Sequence, residues 1–321
     1  MIFTTMIFDT LSSLWSYIAN GVCYMMINRK FGWTNLDVSV IGQGTWLIEN
    51  ANSSSSSHSN SNDYNLAIKT LKVGLDLGMT HIDTAEMYGN GKTEELVGQA
   101  IAGRKRDEIF LVSKVLPSNA SYEGTISACK NSLKRLKTDY LDLYLLHWPS
   151  YQYPIAETMQ AMEKLVSDNL VKFIGVSNFN LKELQEAEQA LQNERIACNQ
   201  LLYNLGYRAI EKRILPYCTN KGIAVVGYSP FGHGNFYSPP STKGKVLVEI
   251  ANRHGRTPRQ IVLRFLSLHS NVFIIPKTSH PERARENSQS VDKDWGLTDK
   301  DIEEINRTFP VSDRDDPLEM I

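Results

Sequence analysis

The chain is poor in cysteine. It has four in 321 residues, and Cys23, Cys129, Cys198 and Cys218 stand far apart with no CxxC spacing. That argues against a disulfide framework or a zinc site and fits a reducing compartment. The seven histidines form no HExxH pair, so no metal is expected. Charge of one sign is not in excess either. The formal net charge is -1, which gives nucleic acid no basic footprint to bind and no acidic tail to a charged partner. No G-x-G-x-x-G follows the first strand-like run, so the usual dinucleotide fingerprint is missing. Internal repeats and a second domain are also absent. Long hydrophobic runs are scarce. The run from Leu11 to Ile27 is uncharged over 17 residues, at the short limit for a membrane span. Asp9 precedes it where a signal peptide would carry a cation. Residues 1–35 are read as an apolar extension with three readings open: a disordered or loosely packed segment, a membrane anchor, or a leader before a functional start near Met25 or Met26. The expected location is the cytoplasm, with membrane contact through residues 1–27 as the lesser alternative.

What is present is ordinary globular composition, 42% hydrophobic and 21% charged, in a chain long enough to bury a large core without staples. Strand-like apolar runs alternate with helical periodicity. The strands are expected at Ser39 to Trp46, Thr80 to Thr84, Ile109 to Ser113, Leu143 to Leu146, Phe173 to Ser177, Ala197 to Tyr203, Ala224 to Ser229 and Val272 to Pro276. Their near-continuous apolar character suits a parallel sheet covered by helices. Eight such units in one chain predict an α/β fold, a single-domain (β/α)8 TIM barrel over residues 36–321. Asn180 and Glu183 form a capping-box pattern. Thr257-Pro258 and Pro154 mark helix starts. Asn50 to Asp63 is dominated by serine and asparagine and is read as a floppy surface insertion.

Three strand ends carry ionisable groups: Asp83, Lys114 and His147. Tyr88 lies five residues beyond Asp83, on the loop above it. In a barrel these ends face one mouth, and adjacent strands are roughly 5 Å apart. A phenol is too weak an acid near neutrality, so Lys114 is expected to lower the pKa of Tyr88 while Asp83 keeps the amine charged. His147 would orient a substrate oxygen. Such a set suits hydride reduction of a carbonyl, which needs a proton donor and neither a nucleophile nor a metal.

The segments HIDTAEMYGNG, FLVSK and DLYLLHWP resemble those of NADPH-dependent aldo/keto reductases, most like bacterial-type members that reduce methylglyoxal and other small aldehydes. The resemblance runs from about Val38 to the C-terminus. It implies a catalytic tetrad of Asp83, Tyr88, Lys114 and His147. It implies further that Gly44, Thr45 and Trp46 lie beneath the nicotinamide, that Ser177, Asn178 and Gln200 bind the carboxamide, and that Tyr228 stacks on the ring. Ser229 and Phe231 would follow the pyrophosphate. Lys277, Thr278 and Arg283 would take the 2′-phosphate, with Glu286 and Asn287 at the adenine. Trp46, His147 and Trp148 would wall the substrate cleft. The implied partners are a small carbonyl compound and NADPH/NADP+, acting on a monomer. Three features depart from the family pattern: the Ser/Asn insertion, a short loop from Gly232 to Thr242, and a short tail after Pro310. The last two suggest easy cofactor exchange and a permissive pocket. A cofactor-sensing regulatory subunit on the same fold, like a channel β-subunit, is the competing reading. A phosphate-sugar isomerase lacks a glutamate base at the sixth strand end.

Overall fold

In the computed structural model, which describes residues 26–50, 61–234, 236–312 and 318, a small antiparallel hairpin comes first. It pairs β1 (Asn28–Lys30) with β2 (Asp37–Ser39). Eight strands then pair in parallel in chain order: β3 (Gln43–Gly44), β4 (His81–Asp83), β5 (Phe110–Val115), β6 (Leu141–Leu146), β7 (Val171–Ser177), β8 (Ile196–Leu202), β9 (Ala224–Tyr228) and β10 (Val272–Ile275). The ring closes between the first and last strands. The Gly42 and Gly44 amides donate to the carbonyls of Ile274 and Pro276 at 2.8 and 3.2 Å, and the Ile274 amide donates to Val40 at 2.9 Å. Glycine is required at this seam, because a Cβ on Gly44 would lie 2.7 Å from the Ile275 carbonyl oxygen.

Helices cover the outside: α1 (Ser61–Asp76), α2 (Lys92–Ile101), α3 (Tyr122–Leu136), α4 (Ile155–Ser167), α5 (Leu181–Ala190), α6 (Ile214–Lys221), α7 (Thr242–His254), α8 (Pro258–Leu266), α9 (Pro281–Ser288) and α10 (Asp299–Thr308). The fold is the expected (β/α)8 barrel. The expected capping box forms at Asn180 with Glu183; the expected helix start at Thr257 is also a capping box, with Gln260, and a third joins Thr298 to Asp301. Each satisfies two backbone donors that a helix start leaves open.

Two apolar clusters divide the interior. One lies between strands and helices. The other fills the barrel, with Phe110, Val112, Leu143, Leu145, Cys198, Val226, Phe273 and Ile275 among its members. Alternation along a strand decides which side a residue joins. Leu111 packs outward while Phe110 and Val112 point in, so Lys114 completes an inward row. His81 and Asp83 flank outward-packed Ile82 in the same way. The polar residues thus crown rows of apolar ones.

Several boundaries differ from the sequence reading. The first strand does not run from Ser39 to Trp46. Ser39 belongs to β2, and the barrel ladder there is only Gln43–Gly44 plus isolated bridges at Ile41 and Gly44. Lys114 lies inside β5 rather than after it. The extension placed at 1–35 is too long. Phe31 is fully buried within 4.8 Å of the Phe110 and Phe273 rings, and the Trp33 indole donates to the Ile196 carbonyl at 2.8 Å. Residues 28–35 therefore plug the floor of the barrel. Residues 1–25, most of the Ser/Asn insertion and most of the tail after Pro310 lie outside the described residues. Ser61, Asn62 and Asp63, expected in the insertion, open α1. Among the described residues no helix is long and apolar enough to cross a membrane.

Candidate active site

At the carboxyl ends of the strands lies a cavity of about 280 Å³, lined by Gly44, Thr45, Trp46, Asp83, Tyr88, His147, Trp148, Ser177, Asn178, Gln200, Tyr228, Ser229 and Lys277, with Met87 and Ile275 beside them. The four expected chemical groups meet at its base. Lys114 is fully buried, and its Nζ donates to Asp83 Oδ1 at 2.6 Å, to the Thr84 carbonyl at 2.9 Å and to the Tyr88 hydroxyl at 3.4 Å. All three of its protons are thereby placed, as a buried ammonium demands. The second Asp83 oxygen accepts from Gln200 Nε2 at 2.7 Å. The Tyr88 and His147 rings meet edge to face at 5.6 Å.

Burial works against the charge on Lys114, yet the Asp83 carboxylate and the Tyr88 oxygen together carry its pKa above the ordinary lysine value. The amine is a fixed cation. His147 behaves oppositely: burial, reinforced by the Lys114 charge, pushes it well below the usual histidine value, so the imidazole is neutral. Tyr88 departs from the sequence reading. Lys114 does pull its pKa down, but loss of hydration outweighs that pull and the net shift is upward. The phenol stays protonated near neutrality. An ammonium beside a phenol oxygen also lowers the cost of negative charge there.

A second layer of polar groups is wired together. Asn178 Nδ2 donates to the His147 carbonyl at 3.1 Å, and its Oδ1 accepts from the Tyr228 hydroxyl at 2.9 Å. Ser177 Oγ donates to the Gln200 carbonyl at 3.0 Å. Thr45 Oγ1 donates to the Asp83 carbonyl at 2.8 Å. Trp46 stacks on His233 with centroids 4.8 Å apart and planes 14° from parallel. That stack ties the loop after β3 to the loop after β9.

Not every expected residue borders the cavity. Phe231 meets Phe236 edge to face at 5.8 Å, with the Arg259 guanidinium 5.7 Å from its ring. Thr278 Oγ1 accepts from the His280 amide at 3.1 Å, shaping the turn into α9. Arg283 is exposed on the first turn of α9, close enough to Lys277 to disfavour its charge. Glu286 accepts from the Thr257 hydroxyl at 2.5 Å, and Asn287 is buried. Thr278, Arg283, Glu286 and Asn287 follow the chain from β10 into α9, whereas Phe231 lies after β9. Met87 and Ile275 were not foreseen, although each is a near neighbour in sequence of a residue that was. Among the described residues no group of His, Cys, Asp and Glu side chains gathers as a metal site.

The aldo/keto reductase family model matches residues 40–308. Methylglyoxal reductase YeaE of Escherichia coli strain K12 is 37% identical over 287 residues, spanning 89% of this chain and 96% of that protein. Glyoxal reductase of Bacillus subtilis strain 168 is 33% identical over 280 residues, 86% of this chain and 92% of that one. Among solved structures, an aldo-keto reductase from Klebsiella pneumoniae in complex with NADPH aligns with a TM-score of 0.83 at 35% identity, covering 92% of this chain and 100% of that chain. With this match over nearly the whole barrel, the chain belongs to the aldo/keto reductase family.

Proposed function

We propose that the protein reduces small aldehydes or ketones to alcohols with NADPH, Tyr88 delivering the proton to the carbonyl oxygen. The observation that carries this reading is Lys114: a fully buried ammonium held between the Asp83 carboxylate and the Tyr88 hydroxyl, beneath a cavity walled by two tryptophans. An ammonium so placed has little structural purpose and a clear chemical one. It favours charge developing on the phenol oxygen at the moment the proton leaves.

The residues fit the cofactor. Asn178, Gln200 and Ser177 present amide and hydroxyl groups along one wall, Tyr228 lines the same side, and Lys277 and Arg283 crowd two cations toward α9. That pair suits a phosphate better than a free ribose hydroxyl, which an acidic residue would bind. When bound, NADPH supplies the hydride. The neutral His147 orients the carbonyl oxygen toward Tyr88, and Trp46, Met87 and Trp148 give the cleft an apolar lining that excludes water. Among the described residues Lys277 is the one cation lining the cavity, and the reading favours small uncharged carbonyls. The names of the glyoxal and methylglyoxal reductases lend support.

The test is NADPH oxidation with a panel of small aldehydes including methylglyoxal, for the wild type and Tyr88→Phe. The variant is expected to lose reduction by a factor of at least ~10², in the range of positioned acid catalysis, with NADPH affinity nearly unchanged. Wild-type-like turnover by the variant removes Tyr88 as the acid. A negligible wild-type rate despite tight NADPH binding favours the cofactor-sensing alternative.

A further inference from the structure

The loop that carries Tyr88 is conformationally costly. Gly89, Asn90 and Gly91 all sit at positive φ, at 54°, 55° and 85°, before α2 begins. The Asn90 conformation is disfavoured for a side-chain-bearing residue. Something outside the loop has to hold it. Its near end is tied by Glu86, whose Oε1 accepts from the Leu116 amide at 2.7 Å and from Asn119 Nδ2 at 2.9 Å. Its far end has no cap of its own, because Gly91 is the N-cap of α2 and offers no side chain.

Glu49 stands there instead. It is 6% exposed, on the loop that follows Trp46. Its Oε2 accepts from the Thr93 hydroxyl, in the first turn of α2, at 2.9 Å. Its Oε1 lies against the strained backbone: a Cβ on Gly89 would be 3.1 Å from it and 3.3 Å from Thr93 Oγ1. The carboxylate faces the positive end of the helix, where a negative charge is favoured. Burial of a carboxylate against a glycine of the acid loop costs too much to be incidental.

We infer that Glu49 is a positioning residue for the reaction: through Thr93 and Gly89 it fixes the loop that aims the Tyr88 hydroxyl at Lys114 and the substrate oxygen. The same loop carries Trp46 on the cavity wall, and the Glu49 charge also supports that on Lys277. One short segment therefore links the acid, the cleft and the cationic end of the groove.

This inference rests on Tyr88 as proton donor, and its test separates the two. Glu49→Ala is expected to lower kcat about tenfold or more, since small misplacements of a reacting group are costly. The solvent deuterium isotope effect on kcat should rise as proton transfer becomes limiting. Thr93→Val should reproduce both changes, and the double variant should be no slower than the worse single one. Thr93→Ser, which keeps the hydroxyl, should restore kcat to within about threefold. Amide hydrogen exchange at residues 88–93 should quicken in Glu49→Ala and Thr93→Val, a readout that does not depend on turnover. Unchanged exchange there overturns the brace. Quickened exchange with unchanged kcat and isotope effect overturns its role in the reaction. Should Glu49→Ala fail to fold, Thr93→Val alone decides.

Discussion

Replacing Asp83 by asparagine isolates the electrostatics at the base of the cavity. The substitution keeps the shape and removes one charge, leaving Lys114 fully buried with the Thr84 carbonyl and the Tyr88 hydroxyl as its other acceptors. Breaking one side of a buried ion pair costs about 3–5 kcal/mol. The amine can escape that cost by shedding its proton. At pH 7 this takes about 4–5 kcal/mol from an ordinary lysine pKa of about 10.4, so the two limits agree. The sign of the pH dependence then distinguishes the proteins. In the wild type the pKa of Lys114 is raised in the folded state, so its contribution is fully present below about pH 10 and is lost only above the raised value. In Asp83→Asn the largest opposition to burial is gone and the folded-state pKa falls below the unfolded one. The unfolded chain then binds the extra proton, and the variant gains stability as pH rises, by about 1.4 kcal/mol per unit. Urea denaturation of both proteins at pH 7, 8 and 9 and fixed ionic strength reads the difference. The gap should be about 3–5 kcal/mol at pH 7 and shrink with each unit. A gap that stays constant from pH 7 to 9 would falsify the assignment of Lys114 as a cation dependent on Asp83.

Two further outcomes follow from neighbouring groups. Lys277→Ala combined with Arg283→Ala should narrow the preference for NADPH over NADH at least tenfold, or about 1.4 kcal/mol; an unaltered ratio of kcat/KM values for the two cofactors would put the phosphate site elsewhere. His81 is fully buried with neither ring nitrogen hydrogen-bonded to protein, and burial lowers its pKa to about 4. Because the unfolded chain takes up this proton first, the stability linked to His81 is present above about pH 6.5 and is lost as pH falls toward 4. Between pH 8 and 5 the wild type should lose about 2 kcal/mol that His81→Phe does not. Parallel denaturation midpoints for the two proteins over that range would rule it out.

The barrel and the meeting of polar groups at its mouth were legible in the order of residues because parallel strands buried on both faces write themselves as apolar runs, and a charged residue closing such a run has to be paired. Asp83, Lys114 and His147 announced themselves this way, and the loop position of Tyr88 followed. The capping box at Asn180 and the helix start at Thr257 are local and were read directly. What local pattern does not encode is where distant segments meet. Residues 28–35 look like the end of a leader, yet Phe31 and Trp33 close the barrel floor through contacts with Phe110, Phe273 and Ile196. The upward shift of Tyr88 is likewise a tertiary property, since the depth of burial that outweighs Lys114 is set by the surrounding loops. Glu49 is the clearest case. In the sequence it is one acidic residue at the edge of a polar stretch, and only the folded chain sets it against Gly89 and Thr93, 40 and 44 positions away. Periodicity and strand-end chemistry belong to the sequence because they act over a few residues. Desolvation and long-range bracing belong to the tertiary structure because they depend on which surfaces the closed barrel brings together.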